Sequence, residues 1–289
     1  MIGLIASDMD GTLLDEHMSI SKENAAAVKR ALSMGIHFMV ATGRGATEAL
    51  PALEEVGIKC PMITGNGAQA YDAEGQTLFT FSIEKENVQQ IIQILKENQL
   101  YFEIATNKGV YSDNQPQRVE NAATMIASRT PGLSYKMAVA LSAAHLDLLH
   151  IIYIKDYLDL LEDPTIEVLK FIVFNEEGQK VLQPIASQIS KLDNIFVTSS
   201  YPTNIEINHA MAQKGIAVKK MAEKYDIPLD QVMTIGDNFN DISMLQIAGV
   251  SFAMANAEPE VKEQAKYLTQ TNIENGVGKA IIRAIEESL

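Results

Sequence analysis

The 289-residue sequence predicts an α/β fold: a parallel-sheet core made of residues 1–82 and 209–289, interrupted by an α+β module over 83–208. Three observations predict it. Short apolar runs alternate with helical stretches at both ends of the chain, the pattern of a parallel sheet covered on both faces. The middle instead carries strand candidates separated by only a few residues, at Asn107-Lys108 and Tyr201-Pro202, too few for a parallel crossover. Hydrophobic residues make up 47% of the chain, ample for one large core or two.

The elements follow in order. Ile2–Ser7 reads as a strand. Ser21 to Met34 reads as a helix, with Ser21 as N-cap and Gly35 as its stop. Ile36–Ala41 is a second strand. The stretch GATEALPALEEVG is helical, with Pro51 marking the start of a second short helix, and Cys60–Thr64 is a third strand. The module's strand candidates are Tyr101–Thr106, Gly109–Ser112, Ile166–Phe174, Asn194–Ser199 and Asn204–Asn208. The core rhythm then returns: a helix over Lys214–Tyr225, a strand over Gln231–Ile235, a helix over Asp241–Ala248 and a strand over Val250–Ala253. A short strand at Tyr267–Thr269 and a helix from Gly276 close the chain.

Composition excludes several functions. Net charge is −14 and no basic run stands out, so nucleic acid is not an expected partner, because such binding begins with phosphate neutralisation. No stretch approaches the ~18 apolar residues of a membrane helix. The apolar run at Ile2–Ala6 is too short for a signal-peptide core and follows no basic residue. The single cysteine, Cys60, rules out an intrachain disulfide and reads as a buried thiol. The expectation is a cytoplasmic protein in a reducing compartment.

Ligands of open parallel sheets sit beyond the carboxyl ends of the strands. Each core strand here ends in a polar, glycine-containing signature: Asp8-Met9-Asp10-Gly11-Thr12, Thr42-Gly43-Arg44, Gly65-Asn66-Gly67 and Gly236-Asp237-Asn238-Phe239-Asn240-Asp241. An ionised carboxylate can be a covalent nucleophile without an activating base, provided its repulsion from an anionic phosphate is neutralised. Magnesium does this when one or two carboxylates hold it, and Asp8 and Asp237 could grip one ion from neighbouring strand tips. Asp10 lies two residues beyond Asp8, on the same side of an extended segment, placed to protonate a leaving oxygen and then activate water. Thr42 offers a hydroxyl, Gly43 a close backbone approach, and Lys214 a point charge at a helix start. Asp8, Asp10, Asp237 and Asp241 outnumber Lys214, so the site calls for a divalent cation. A calcium loop of the EF-hand type is excluded, because its required sixth-position glycine is Leu13 here.

This ordered set resembles the haloacid-dehalogenase-like (HAD) superfamily of phosphotransferases. Asp8-Met9-Asp10-Gly11-Thr12 resembles its first motif, Thr42-Gly43-Arg44 its second, Lys214 its third and Gly236-Asp237-Asn238-Phe239-Asn240-Asp241 its fourth. The inserted module resembles the type C2 cap of Cof-type, subfamily IIB phosphatases, and the resemblance implies a Rossmann-like core. It also implies roles. Asp8 would be the nucleophile and a Mg2+ ligand, and Asp10 the general acid/base, binding the metal through its backbone carbonyl. Asp237 would complete the protein ligands, with Asp241 behind the metal or at one of its waters. The Met9 amide, Thr42, Gly43, Lys214 and Asn240 would hold the phosphate. One departure is His209 and Met211, in NHAMAQKG, where such enzymes usually carry a proline or glycine turn.

The expected function is hydrolysis of small phosphate monoesters, such as sugar phosphates or nucleotide- and cofactor-related phosphates, through an aspartyl-phosphate. The alternatives are a phosphomutase of the phosphomannomutase type and a non-catalytic metabolite-binding regulator, and intact Asp8 and Asp10 argue against the regulator. Arg44, Asn66, Arg118 and Tyr201 are weaker candidates for substrate contacts, and His209 reads as structural.

Overall fold

A computed structural model describes residues 2–130, 132–144, 151–199 and 202–289, and divides the chain into two compact units, Met1–Phe81 with Met211–Leu289, and Ser82–Ala210. The first unit opens with β1 (Leu4–Ser7), α1 (Lys22–Ser33), β2 (His37–Ala41), α2 (Ala46–Glu55), β3 (Met62–Thr64), β4 (Gln69–Tyr71) and β5 (Thr77–Thr80). The Ser21 side chain caps α1 by accepting from the Asn24 amide, as expected. Pro51 does not start a second helix. It lies inside α2, where burial of Ala49 and Leu53 offsets the hydrogen bond a proline cannot make.

The second unit comprises α3 (Lys85–Glu97), β6 (Tyr101–Thr106), β7 (Gly109–Ser112), α4 (Gln115–Arg129), α5 (Tyr135–Ala144), β8 (Ile151–Tyr153), β9 (Val168–Phe174), α6 (Gln179–Ile189), β10 (Ile195–Thr198) and β11 (Asn204–His209). Its sheet has the order β10-β11-β9-β6-β7-β8. Neighbours are antiparallel except β7 and β8, which run parallel. The strand β8 was not foreseen from sequence. One sheet face, with Phe102, Ile104, Phe171 and Ile207, packs on Val88, Ile91 and Leu95 of α3 and Leu182 and Ile189 of α6.

The chain returns to the first unit with α7 (Lys214–Lys224), β12 (Val232–Gly236), α8 (Ile242–Ile247), β13 (Val250–Ala253), α9 (Pro259–Lys262), β14 (Tyr267–Leu268) and α10 (Gly276–Glu286). The eight-stranded sheet has the order β14-β13-β12-β1-β2-β3-β4-β5. Its pairings are parallel from β14 to β3 and antiparallel at β3–β4 and β4–β5. This antiparallel edge hairpin departs from the all-parallel expectation. Strand β4 is only three residues long and β5 is largely half-exposed, so neither shows a buried parallel strand's continuous apolar run. The sheet core is layered by the period-two alternation. Ile5, Phe38 and Val40 face Val28 and Ile281, while Leu4, Ala6 and Met39 face Val218, Met221 and Met244. The chain leaves β1 toward β2 on one side and returns to β12 on the other, which makes the carboxyl end of β1 the topological switch point.

Cys60 is buried, and burial pushes its thiol up to about 12. Among the described residues no helix is long and apolar enough to cross a membrane.

Candidate active site

Register sets the site. Ser7, the last residue of β1, pairs with Ile235 of β12 and Val40 of β2, so Asp8 emerges between the ends of both neighbours. The backbone is extended at Asp8, with ψ 164°, and again at Asp10, with φ −73° and ψ 120°, and it turns only at Gly11, where φ is +75°. Met9 between them is buried with the apolar core. The two acids differ in exposure. The Asp8 side chain is 7% exposed and that of Asp10 is 48% exposed.

Asp8 meets Lys214, the first residue of α7, whose side chain is fully buried. The Lys214 Nζ donates to Asp8 Oδ1 at 2.5 Å and to Asp241 Oδ1 at 2.6 Å. The Asp241 Oδ2 accepts the backbone amides of Asp237 and Asn238 at 2.9 and 3.0 Å, so both oxygens of Asp241 are engaged. Asp237 receives the Thr12 hydroxyl at Oδ1, 2.6 Å away. Thr12 went unnoticed as a site residue in the sequence, although it directly follows the aspartate–glycine turn.

Three carboxylates, those of Asp8, Asp237 and Asp241, bring oxygens within 4.8 Å of one another. Burial, then Asp241, raises the Asp8 carboxyl well above its ordinary range, and the same two causes push Asp237 up to about 6. Burial opposes charge on Lys214, but Asp241 and Asp8 outweigh it and hold the ammonium above its usual value. One ammonium thus serves three acids. Asp8 and Asp237 retain acceptor capacity beyond their Oδ1 donors, so this donor set could hold a divalent cation, and hard carboxylate oxygens are what magnesium requires.

Asp10 is gripped by Arg44 through both oxygens, with Nε to Oδ2 at 2.8 Å and Nη2 to Oδ1 at 2.6 Å. That hydrogen bonding raises the Arg44 guanidinium above its usual value. Thr42 is buried, and its Oγ1 accepts from the Arg44 amide at 3.1 Å. The Asn240 Nδ2 donates to Asn66 Oδ1 at 3.0 Å, beside Gly43. The sequence-predicted residues of the first unit thus form a buried acidic cluster, an exposed Asp10–Arg44 pair and a Gly43–Asn66–Asn240 group. In the second unit Arg118 pairs with Glu103 at 3.2 Å, and His209 Nε2 lies 3.5 Å from Glu84. Tyr201 lies outside the described residues.

Known proteins decide the family. A model of haloacid dehalogenase-like hydrolases matches residues 5–281. The chain belongs to that family. This HAD-like hydrolase is 31% identical over 276 residues to the phosphatase YwpJ of Bacillus subtilis (strain 168), covering 95% of this chain and 96% of that one. It is 29% identical over 280 residues to 5-amino-6-(5-phospho-D-ribitylamino)uracil phosphatase YcsE of the same strain, covering 97% and 94%. A solved haloacid dehalogenase-like hydrolase from B. subtilis superposes with a TM-score of 0.84 at 29% identity, covering 100% of each chain. The HAD-like hydrolase is therefore an enzyme with a Rossmann-like core, and YwpJ and YcsE are both phosphatases by name.

Proposed function

We propose that this HAD-like hydrolase is a magnesium-dependent phosphatase of small phosphate monoesters that works through an aspartyl-phosphate on Asp8. The observation that carries the reading is the buried Asp8 carboxylate, oriented by Lys214 at the switch point and crowded by Asp237 and Asp241. In the first step an Asp8 oxygen bonds to phosphorus as the bond to the ester oxygen breaks, and Asp10 gives that oxygen a proton. In the second step water bonds to phosphorus while Asp10 takes its proton, the bond to Asp8 breaks, and inorganic phosphate leaves. Thr42, Gly43, Lys214 and the Met9 amide hold the phosphoryl oxygens. Asp8, Asp237 and the Asp10 backbone carbonyl would hold magnesium, which supplies neutralisation of charge between carboxylates and phosphate. To deliver its proton Asp10 frees one oxygen from Arg44 while the other stays held and keeps the acid oriented.

The relatives support this substrate class. One acts, by name, on a phosphorylated ribitylaminouracil, so esters of that kind join sugar and nucleotide-related phosphates as candidates. The test is hydrolysis of para-nitrophenyl phosphate and of this ester set, with and without magnesium, by wild type and Asp8→Asn. Magnesium-dependent release lost by at least about a thousandfold in Asp8→Asn is expected. Activity surviving that substitution in pure protein overturns the mechanism.

A further inference from the structure

We propose that Asn66 is a positioning residue of the phosphate cradle: it fixes which end of the Asn240 carboxamide faces the bound phosphoryl group. The inference rests on the phosphatase reading above. It begins with the loop after β3, where three consecutive residues have left-handed backbone: Gly65 at φ +58°, Asn66 at +60° and Gly67 at +107°. Asparagine tolerates that region better than most residues with a side chain. The loop donates two amides to the segment after β2, Gly65 N to Arg44 O and Asn66 N to Thr42 O, both at 3.0 Å. Gly67 lies so close to the residue preceding Lys214 that a Cβ there would meet the Gln213 carbonyl oxygen at 2.6 Å. The Asn66 Oδ1 stands 2.9 Å from where a Gly43 Cβ would be and accepts from Asn240 Nδ2. One short loop therefore touches three of the four segments expected to hold phosphate, all but that of Met9.

The turn alone does not require that last contact. Glycine or aspartate would also satisfy the backbone at position 66. What the carbonyl adds is polarity. A carboxamide has a donor end and an acceptor end, and only the donor end attracts an anion. With one Nδ2 hydrogen of Asn240 on Asn66, the second remains for a phosphoryl oxygen. The Asn240 Oδ1 is buried without a hydrogen-bond partner. Such an orphaned acceptor costs free energy, so this orientation is held from the Nδ2 end, by Asn66.

The test uses the full chain with magnesium. Inorganic phosphate binding is measured by calorimetry, and KM and kcat are measured on an ester the wild type hydrolyses. Asn66→Gly keeps the backbone and removes the acceptor, and is expected to weaken phosphate and raise KM by about tenfold with little change in Tm. Asn66→Ser, whose hydroxyl falls short of the carboxamide oxygen's reach, also loses the contact with Asn240 and should weaken phosphate too, and it serves if the glycine variant folds poorly. Asn240→Ala should cost about as much as Asn66→Gly, and the double variant no more than either alone. Wild-type phosphate affinity in both Asn66 variants, or effects that multiply in the double variant, overturns the inference while ester hydrolysis by wild type leaves the phosphatase reading standing. A wild type that neither binds phosphate nor hydrolyses any ester overturns both.

Discussion

Lys214 and Lys170 are both buried lysines, one in each unit, and they stand in different company. Lys170 is 9% exposed and pairs with Glu206 at 3.2 Å, and Arg118 of α4 pairs with Glu103, on a strand of the same sheet. Each of those cations meets one carboxylate. Lys214, fully buried, meets Asp8 and Asp241, with Asp237 within 4.8 Å of both. A buried cation matched by one carboxylate calls for no added counter-charge. An excess of buried carboxylate is stable only with protons or a cation added. The difference separates an ion pair that organises a sheet from a cluster built to receive something.

The largest effect should come from breaking each arrangement. Lys214→Met leaves the acids unopposed and is expected to cost about 3–5 kcal/mol, with turnover lost. Replacing the other pair together, Lys170→Met with Glu206→Leu, should stay within about 2 kcal/mol of wild type, because cation and anion are removed together. Urea denaturation of both variants checks this. Equal losses would mean the two clusters are not different in kind.

The next effect is a pH dependence with an unusual sign. Asp237 rises from 3.8 to about 6, chiefly by burial and then by Asp241. The folded state holds this proton more tightly than the unfolded chain does. The contribution to stability is therefore full below about pH 3.8 and is lost as pH rises to about 6. The loss is about 3 kcal/mol at neutral pH. Metal-free Asp237→Asn should accordingly melt above metal-free wild type at pH 7, and the gap should close toward pH 4. Added magnesium should raise the Tm of wild type and leave that of the variant nearly unchanged. A wild-type Tm indifferent to magnesium at pH 7 would remove the cation from the account.

Much of this was legible in the sequence, for physical reasons that differ by residue. Val250–Ala253, Tyr101–Thr106 and Gly109–Ser112 have the bounds that their apolar runs and punctuation indicated. The Lys214 helix start was equally plain. Strands β4, β5 and β8 were missed because three or four residues are too few for a periodic pattern to register. At the site, residue types announced the chemistry, but not the geometry. The period-two rule put Asp8 and Asp10 on one side of an extended segment, but it could not say that one acid would be buried and the other half-exposed at the rim. The engagement of Asp10 by Arg44 depends on two loops meeting, which no spacing within either loop encodes.

That rim pair supplies the smallest effect and a finer comparison. Asp10–Arg44, with side chains 48% and 20% exposed, has a more open counterpart in the other unit, Lys96–Asp156, at 42% and 46%. Exposed pairs contribute about 0–1 kcal/mol to stability, so Arg44→Ala and Lys96→Ala should both unfold near wild-type urea concentrations. Turnover should separate them. Arg44 holds both oxygens of the carboxylate that handles the leaving-group proton, and nothing comparable depends on Lys96. Arg44→Ala is expected to slow hydrolysis of an alkyl phosphate by about 10–30-fold, because a misplaced acid protonates a poor leaving group badly. An aryl ester with a good leaving group needs little protonation and should slow less than about threefold. Equal losses on both esters would shift Arg44 from orienting Asp10 to binding phosphate, since a phosphate contact is blind to the leaving group.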